Sequence, residues 1–163
     1  MILSILIEPN ELLHKIAEAI DPADLNEPYI QKLIADMIET MYAKEGVGLA
    51  APQISQPVRL VVISKEFNPL SRRKELILIN PFWEKTSIFK DWDEEGCLSV
   101  PFTYGKVKRY RRIKVRALDE KGNELKFDAN DYQARVIQHE VDHLDGIIFS
   151  SKAKNLHEIR KEL

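Results

Sequence analysis

The sequence has only one cysteine, Cys97, so no disulfide can form within the chain, and this is typical of a reducing compartment such as the cytoplasm. Long hydrophobic runs are also lacking. The apolar stretch within residues 1–10 has no basic start of the kind signal peptides carry and is far too short to span a bilayer. The net charge of −2 gives no overall attraction to DNA or to an anionic membrane. The remaining composition is that of an ordinary globular protein.

Hydrophobic periodicity predicts helices at both ends of a group of strands. Apolar residues recur at helical spacing in the first and last parts of the chain, and short β-rich runs lie between them. This order predicts an α+β fold, and without a repeat or linker the 163 residues suit one domain over 1–163. The predicted elements are a short helix near 10–20, a helix within 24–46, strands at 58–64 and 76–81, a hairpin across 112–129, and a helix from about 128–130 to Gly146.

The stretch QHEVDHLDG, residues 138–146, places two histidines four positions apart on the last predicted helix. Four residues advance a helix by about 400° and about 6 Å, so His139 and His143 share one face and can reach the same ion. Glu140 lies at the flank of that face. H-E-x-x-H is typical of metal hydrolases in which the glutamate is the general base. The alternative is an amphipathic helix with two surface histidines.

A catalytic metal site usually has three protein ligands and one open position. The outstanding candidate for the third ligand is Cys97 in EEGCLSV, because His14 and His157 lie in no supporting pattern. The thiolate is the ligand form of cysteine. A lone cysteine is also often a small buried apolar residue, and the residues alone leave both interpretations open.

The stretch GVGLAAPQ, residues 46–53, matches the G-x-G-x-x-G/A dinucleotide fingerprint in form. It follows a predicted helix instead of a strand, and Pro52 interrupts any helix beginning there, so the nucleotide interpretation is disfavoured. Glycines also let a substrate backbone approach closely, and Gln53 offers an amide donor. These properties indicate a peptide groove, with a Gly-rich turn and a surface glutamine as the alternative.

In this order, GVGLAAPQ, EGCLS and QHEVDH strongly resemble peptide deformylases, and the similarity covers nearly the whole chain. The resemblance implies small, mostly antiparallel sheets packed around a central C-terminal helix carrying HExxH. It also implies hydrolysis of the N-formyl group from the initiator methionine of nascent polypeptides, with release of formate. The implied metal ligands are Cys97, His139 and His143. Glu140 would transfer the proton, while the Gln53 amide and the Leu98 backbone N–H would face the developing oxyanion.

The resemblance further implies the substrate contacts and the metal. The implied groove residues are Val47, Gly48 and Gly96, and the implied methionine-pocket residues are Glu95 and Val136. One divalent ion per chain is expected: Fe²⁺ in the cell by resemblance, replaceable by Ni²⁺ or Zn²⁺, whereas ligand softness alone favours zinc. One departure is Ser55, where the family commonly has glycine, which puts the local turn in doubt.

The expected partners are N-formylmethionyl nascent peptides, with no membrane and no DNA. Transient ribosome association is left open, because the chain ends soon after His143, although residues 154–163 have a composition compatible with a helix. The expected location is a bacterial-type cytoplasm, or an organelle if a transit segment has been removed.

The remaining signals in the sequence are weaker. The basic stretch KVKRYRRIKVR, residues 106–116, fits either RNA binding or a strand with a solvated face, and the strand is favoured. We predict that Arg109 pairs with Glu95, and we assign Asp142 no role. Two competing functions share the same motif or metal: an endoprotease of the zincin type, and a metal-stabilised binding module without turnover.

Overall fold

The structure is a computed structural model, and it describes residues 1–159. It contains two α-helices, α1 (Pro28–Ala43) and α2 (Asp131–Leu144). The strands are β1 (Gly48–Ala50), β2 (Leu60–Ile63), β3 (Leu76–Lys85), β4 (Lys90–Cys97), β5 (Val100–Tyr110), β6 (Arg112–Leu118), β7 (Glu124–Asn130) and β8 (Lys154–Glu158). They form a five-stranded sheet in the order β1-β2-β3-β6-β7 and a three-stranded sheet in the order β4-β5-β8, with antiparallel pairing throughout both sheets.

Helix α2 lies against both sheets and carries the H-E-x-x-H motif. Its apolar residues Ile137, Val141 and Leu144 join the core cluster formed with the five-stranded sheet. The helix ends at Leu144, and Gly146 takes the left-handed conformation, with φ of 72°. A Cβ there would lie 2.5 Å from the His14 backbone oxygen, so only glycine fits. The α+β class, the antiparallel sheets and the C-terminal helix are therefore confirmed.

The middle of the chain follows the predicted strands closely. The β6–β7 hairpin pairs Val115 with Phe127, and Gly122 in its turn has φ of 84°. In β5 the alternation predicted for the stretch 106–116 is present, because Lys106 and Lys108 are exposed while Val107 and Arg109 are buried. The stretch is not one strand, however, since it continues past Arg111 into β6 of the other sheet. Within residues 1–159 no helix is long and apolar enough to cross a membrane.

Three elements differ from the sequence predictions. The short helix near 10–20 is only a 3₁₀ turn, Glu11–His14. Strand β3 continues past Pro81 to Lys85, because the ladder with β6 shifts register between Ile79 and Phe82 and so accommodates a residue without an N–H. The helix considered for residues 154–163 is wrong for its first part, which pairs with β5 as β8; residues 160–163 lie outside the described part of the chain.

Candidate active site

A cleft of about 530 Å³ opens between the segment joining α1 to β1, the β4–β5 hairpin and helix α2. Each of the three sequence motifs contributes to it. The five residues predicted to contact substrate, and Gln53, Leu98 and Glu140, all line the cleft. The predicted contact residues are Val47, Gly48, Glu95, Gly96 and Val136.

Cys97, His139 and His143 come together beside this cleft, and Cys97 and His139 line it. Their ligand atoms lie within 4.8 Å of one another, and the Cys97 Sγ to His143 Nε2 distance is 3.4 Å. Two ligands on one tetrahedral zinc-like ion are about 3.3–3.6 Å apart, from typical metal–nitrogen and metal–sulfur bond lengths. The β4–β5 hairpin places Cys97 near the two histidines, because the register of its strands shifts between Gly96 and Cys97, where the chain turns. The side chains present therefore fit a divalent ion.

The Glu95 carboxylate orients the first histidine. It lies 2.7 Å from His139 Nδ1, which leaves Nε2 of that ring for an ion. Burial opposes ionisation of Glu95, but hydrogen bonds from His139 and Arg109 hold the pKa of its carboxyl well below the ordinary value. Two opposing effects also act on the pKa of His139. Burial lowers it, but hydrogen bonds with Cys97 and Glu95 raise it above the ordinary value. Burial lowers the pKa of His143, which favours the neutral ligand form.

Glu140 is held beside the histidines in a different environment. Its side chain is buried, and its Oε2 has no hydrogen-bond partner within residues 1–159. Burial raises the pKa of Glu140 to about 7, although the neighbouring His139 charge acts in the opposite direction. This carboxyl is therefore able to exchange a proton near neutral pH.

Gln53 lies in a 3₁₀ turn, Ala51–Ile54, directly after β1. Its Oε1 accepts a hydrogen bond from the Ala50 N–H at 2.9 Å, and its Nε2 donates to Ser99 Oγ at 3.1 Å and lies 3.5 Å from Cys97 Sγ. Ser55 adopts the left-handed conformation, with φ of 64°, so the turn keeps a conformation that glycine would favour. The departure from the family pattern therefore leaves Gln53 in the cleft.

A buried ion-pair network surrounds Glu95, and most of it was missed from the sequence. The predicted Arg109–Glu95 pair is confirmed, with Nε and Nη2 at 3.0 and 2.9 Å from the two oxygens. Arg135 also donates to Glu95, at 2.7 Å, and Asp142 accepts from Arg109. The missed signal is that Arg135 and Asp142 lie at i−4 and i+3 from His139, on the part of α2 that turns inward. Glu95 borders the cleft, but its carboxylate is bonded to this network and to His139.

The site combines two histidines on one turn of a buried helix, a thiol from a facing hairpin, and a glutamate whose Oε2 has no hydrogen-bond partner within residues 1–159. This combination defines the site of a metal-dependent hydrolase. The open cleft beside these side chains has room for a substrate that lies along the protein backbone.

The comparisons with known proteins identify the family. The polypeptide deformylase family model matches residues 2–158, and the chain belongs to this family. It is 43% identical to a peptide deformylase of Symbiobacterium thermophilum over 99% of this chain and 71% of that protein. It is 42% identical to one of Neisseria meningitidis over 95% of this chain and 89% of that protein.

Solved structures agree with this assignment. The crystal structure of peptide deformylase from Thermotoga maritima superposes with a TM-score of 0.86 at 32% identity, covering 94% of this chain and 99% of that one. An actinonin-bound class I type b deformylase from Acinetobacter baumannii also has a TM-score of 0.86, at 30% identity, covering 94% and 99%. The family predicted from the three motifs is confirmed. The chain is a metal-dependent hydrolase, and deformylation of nascent peptides is the known activity of its family.

Proposed function

We propose that this chain removes the formyl group from N-formylmethionyl peptides with one divalent ion held by Cys97, His139 and His143. The observation that carries the proposal is the meeting of these three ligands beside Glu140, whose buried Oε2 lacks a partner in residues 1–159. A buried carboxylate oxygen without a partner destabilises the fold, and groups of this kind cluster at functional sites.

The ligand set supports a metal site with an open position. A bound ion would polarise the formyl carbonyl and lower the pKa of water at the site toward about 7. Thiolate and imidazole ligands favour zinc by softness. Because the family resemblance implies ferrous iron, we propose Fe²⁺ in the cell, with Ni²⁺ or Zn²⁺ as substitutes. Glu95 supports the site by fixing the orientation of His139.

Glu140 is proposed as the proton carrier. It would accept a proton from the attacking water and return it to the leaving amine of methionine. A pKa of about 7 suits both steps, because the group then accepts and donates a proton near neutral pH. Its burial also shields the carboxylate from bulk water.

Gln53 Nε2 and the Leu98 backbone N–H are proposed as donors to the oxyanion. The Gln53 amide is already oriented, since its oxygen is occupied by the Ala50 N–H and its nitrogen points toward Cys97. Each preorganised donor of this kind typically contributes about 10²–10³ in rate.

The substrate is proposed to lie along Val47, Gly48 and Gly96, with the methionine side chain near Val136 and beside Glu95. A crystal structure of the Acinetobacter baumannii deformylase with Met-Ala-Ser bound supports a peptide of this form, at a TM-score of 0.86 and 32% identity, covering 93% of this chain and 98% of that one. Single-domain organisation over 1–163, a cytoplasmic location and transient ribosome association stay predictions.

The direct test is incubation of the metal-loaded protein with formyl-Met-Ala-Ser and, separately, with a longer unformylated peptide. Formate release without cleavage of internal bonds is the expected result. Internal cleavage without formate release would indicate an endoprotease instead, and metal binding with no turnover would indicate a binding module.

Glu140→Gln tests the proton carrier. We expect activity to fall by about 10²–10⁴, the usual range for loss of a general acid–base, with the metal content unchanged. Glu124→Gln, an exposed glutamate on β7, is the matched control. Full activity in the Glu140 variant would remove this residue from the mechanism.

Cys97→Ser tests the ligand set, and we expect weaker metal retention or a different bound metal. Anaerobic metal analysis of the purified wild-type protein measures which ion it carries. Unchanged metal content in the Cys97 variant would contradict the ligand assignment.

A further inference from the structure

We infer that Asp142 is a positioning residue: it balances the buried charge behind His139 and so helps the site to retain its divalent ion. This inference rests on the metal site proposed above. Asp142 does not line the cleft, and its side chain is directed into the ion-pair network.

A continuous set of contacts joins Asp142 to the histidine. Asp142 Oδ2 accepts from Arg109 Nη1 at 2.5 Å. The other edge of the same guanidinium donates two hydrogen bonds to Glu95, whose Oε1 lies 2.7 Å from His139 Nδ1. Because the guanidinium is planar and rigid, a partner on Nη1 fixes the direction in which Nε and Nη2 point. Asp142 therefore holds Arg109 in the orientation that Glu95 requires.

The charges in this network balance. The side chains of Arg109, Arg135, Glu95 and Asp142 are only 4–10% exposed, and they carry two positive and two negative charges. At the rim, Lys152 and Asp91 add one charge of each sign. Lys152 Nζ lies 3.0 Å from Asp142 Oδ2, with its side chain 41% exposed, and Asp91 Oδ1 lies 3.0 Å from Arg135 Nη2, with its side chain 52% exposed. Loss of the Asp142 charge would leave a positive charge uncompensated in the interior, next to a site that binds a cation. Such a charge is poorly screened, so cation binding should weaken.

A purely structural role for Asp142 makes a different prediction. Asp142 also ties α2 to β5 through Arg109, so its loss could weaken metal retention by loosening the fold. Removal of the Lys152 charge separates the two explanations, because it restores neutrality without restoring the lost hydrogen bond. In an Asp142→Asn background, Lys152→Met should improve metal retention if charge balance matters. It should give no improvement if only the hydrogen bond between Asp142 and Arg109 matters.

The experiment loads wild type, Asp142→Asn and Asp142→Asn/Lys152→Met with Zn²⁺ and follows zinc loss to an excess of a metallochromic chelator. We expect Asp142→Asn to lose zinc about 10-fold faster, the lower end of the range for groups that support metal ligands. The second substitution should recover most of that loss. Asp142→Asn/Lys154→Met is the control, because Lys154 lies on β8 against Trp92 and outside the network, and it should recover nothing.

Two further measurements keep the test decisive. Urea unfolding of the zinc-free proteins reports the structural contribution, and Lys152→Met alone covers the case in which Asp142→Asn fails to fold. The charge balance predicts that Lys152→Met alone slows zinc loss. Unchanged zinc loss in Asp142→Asn, no recovery in the double variant, or unchanged or faster loss in Lys152→Met alone would overturn the inference while leaving the metal site intact. Failure of wild type to retain Zn²⁺ would overturn the site as well.

Discussion

Replacement of Gly48 by alanine should displace the Glu140 carboxylate while leaving the fold in place. The added Cβ would lie 2.5 Å from Glu140 Oε1 and 2.8 Å from its Cγ and Cδ. Carbon contacts are normally about 3.5–4.0 Å, so the side chain must move by about 1 Å. A displacement of that size at a reacting group costs about 10²-fold in rate, which corresponds to about 2.7 kcal/mol of transition-state stabilisation. Gly48 is not among the glycines with positive φ, so alanine adds no backbone strain.

The assay is formate release from formyl-Met-Ala-Ser, with kcat and KM measured separately and the metal content determined for each protein. We expect the loss to fall mainly on kcat, because the change acts on the proposed proton carrier. Gly122→Ala is the control, because Gly122 lies in the β6–β7 turn and does not line the cleft. Its φ is 84°, so alanine there should reduce stability by about 1–2 kcal/mol and leave kcat unchanged. An unchanged kcat in Gly48→Ala would refute the argument that the position of Glu140 is critical.

Three other perturbations have defined outcomes. Gln53→Leu should lower kcat by about 10²–10³ if its amide faces the oxyanion, and an unchanged kcat would exclude that role. Phe149→Ala removes a buried ring that is 1% exposed, and urea unfolding should show a loss of about 3–5 kcal/mol; a much smaller loss would mean that the cavity collapses. Because the pKa of Glu95 is lowered in the folded state, Glu95 stabilises the fold above its ordinary pKa of about 4.3, and this contribution is lost as pH falls through the lowered value. Glu95→Gln should therefore show a smaller acid-induced loss of stability than wild type, and an equal loss would contradict the shift.

The parts of the fold that the sequence predicted well are those with strong local signals. Helix α2 has an apolar face, a glycine just after its last turn and a motif at helical spacing, and its bounds were predicted closely. The β6–β7 hairpin has strict alternation around a glycine turn. In both cases the local preference of the chain agrees with its packing, so the pattern alone was sufficient.

The elements that were wrong depend on distant partners. Residues 154–158 have a helical composition, yet they form β8 because the exposed edge of β5 offers backbone hydrogen bonds. Strand β3 passes through Pro81 because a register shift removes the need for its N–H. Neither partner can be read from the local sequence.

The candidate site shows the same division. Helical spacing and ligand chemistry single out His139, His143 and Glu140, whereas the role of Cys97 came from the resemblance of the ordered motifs to deformylases. The structure brings the three candidate ligand atoms within 4.8 Å of one another. The network behind them was only partly predicted. Arg135 and Asp142 are charged residues on a helix, usually solvated, and only the three-dimensional structure shows that they are buried against Glu95. Their pairing depends on how β5 passes behind α2.

The position of Cys97 has a consequence for how the molecule holds together. Its sulfur meets His143 from 46 residues away in the chain, across the junction between the hairpin and the helix. An ion bound to both would close that long loop and bind only after the two segments have come together. It would therefore fasten the hairpin to the helix much as a disulfide does, in a protein that has no second cysteine to make one.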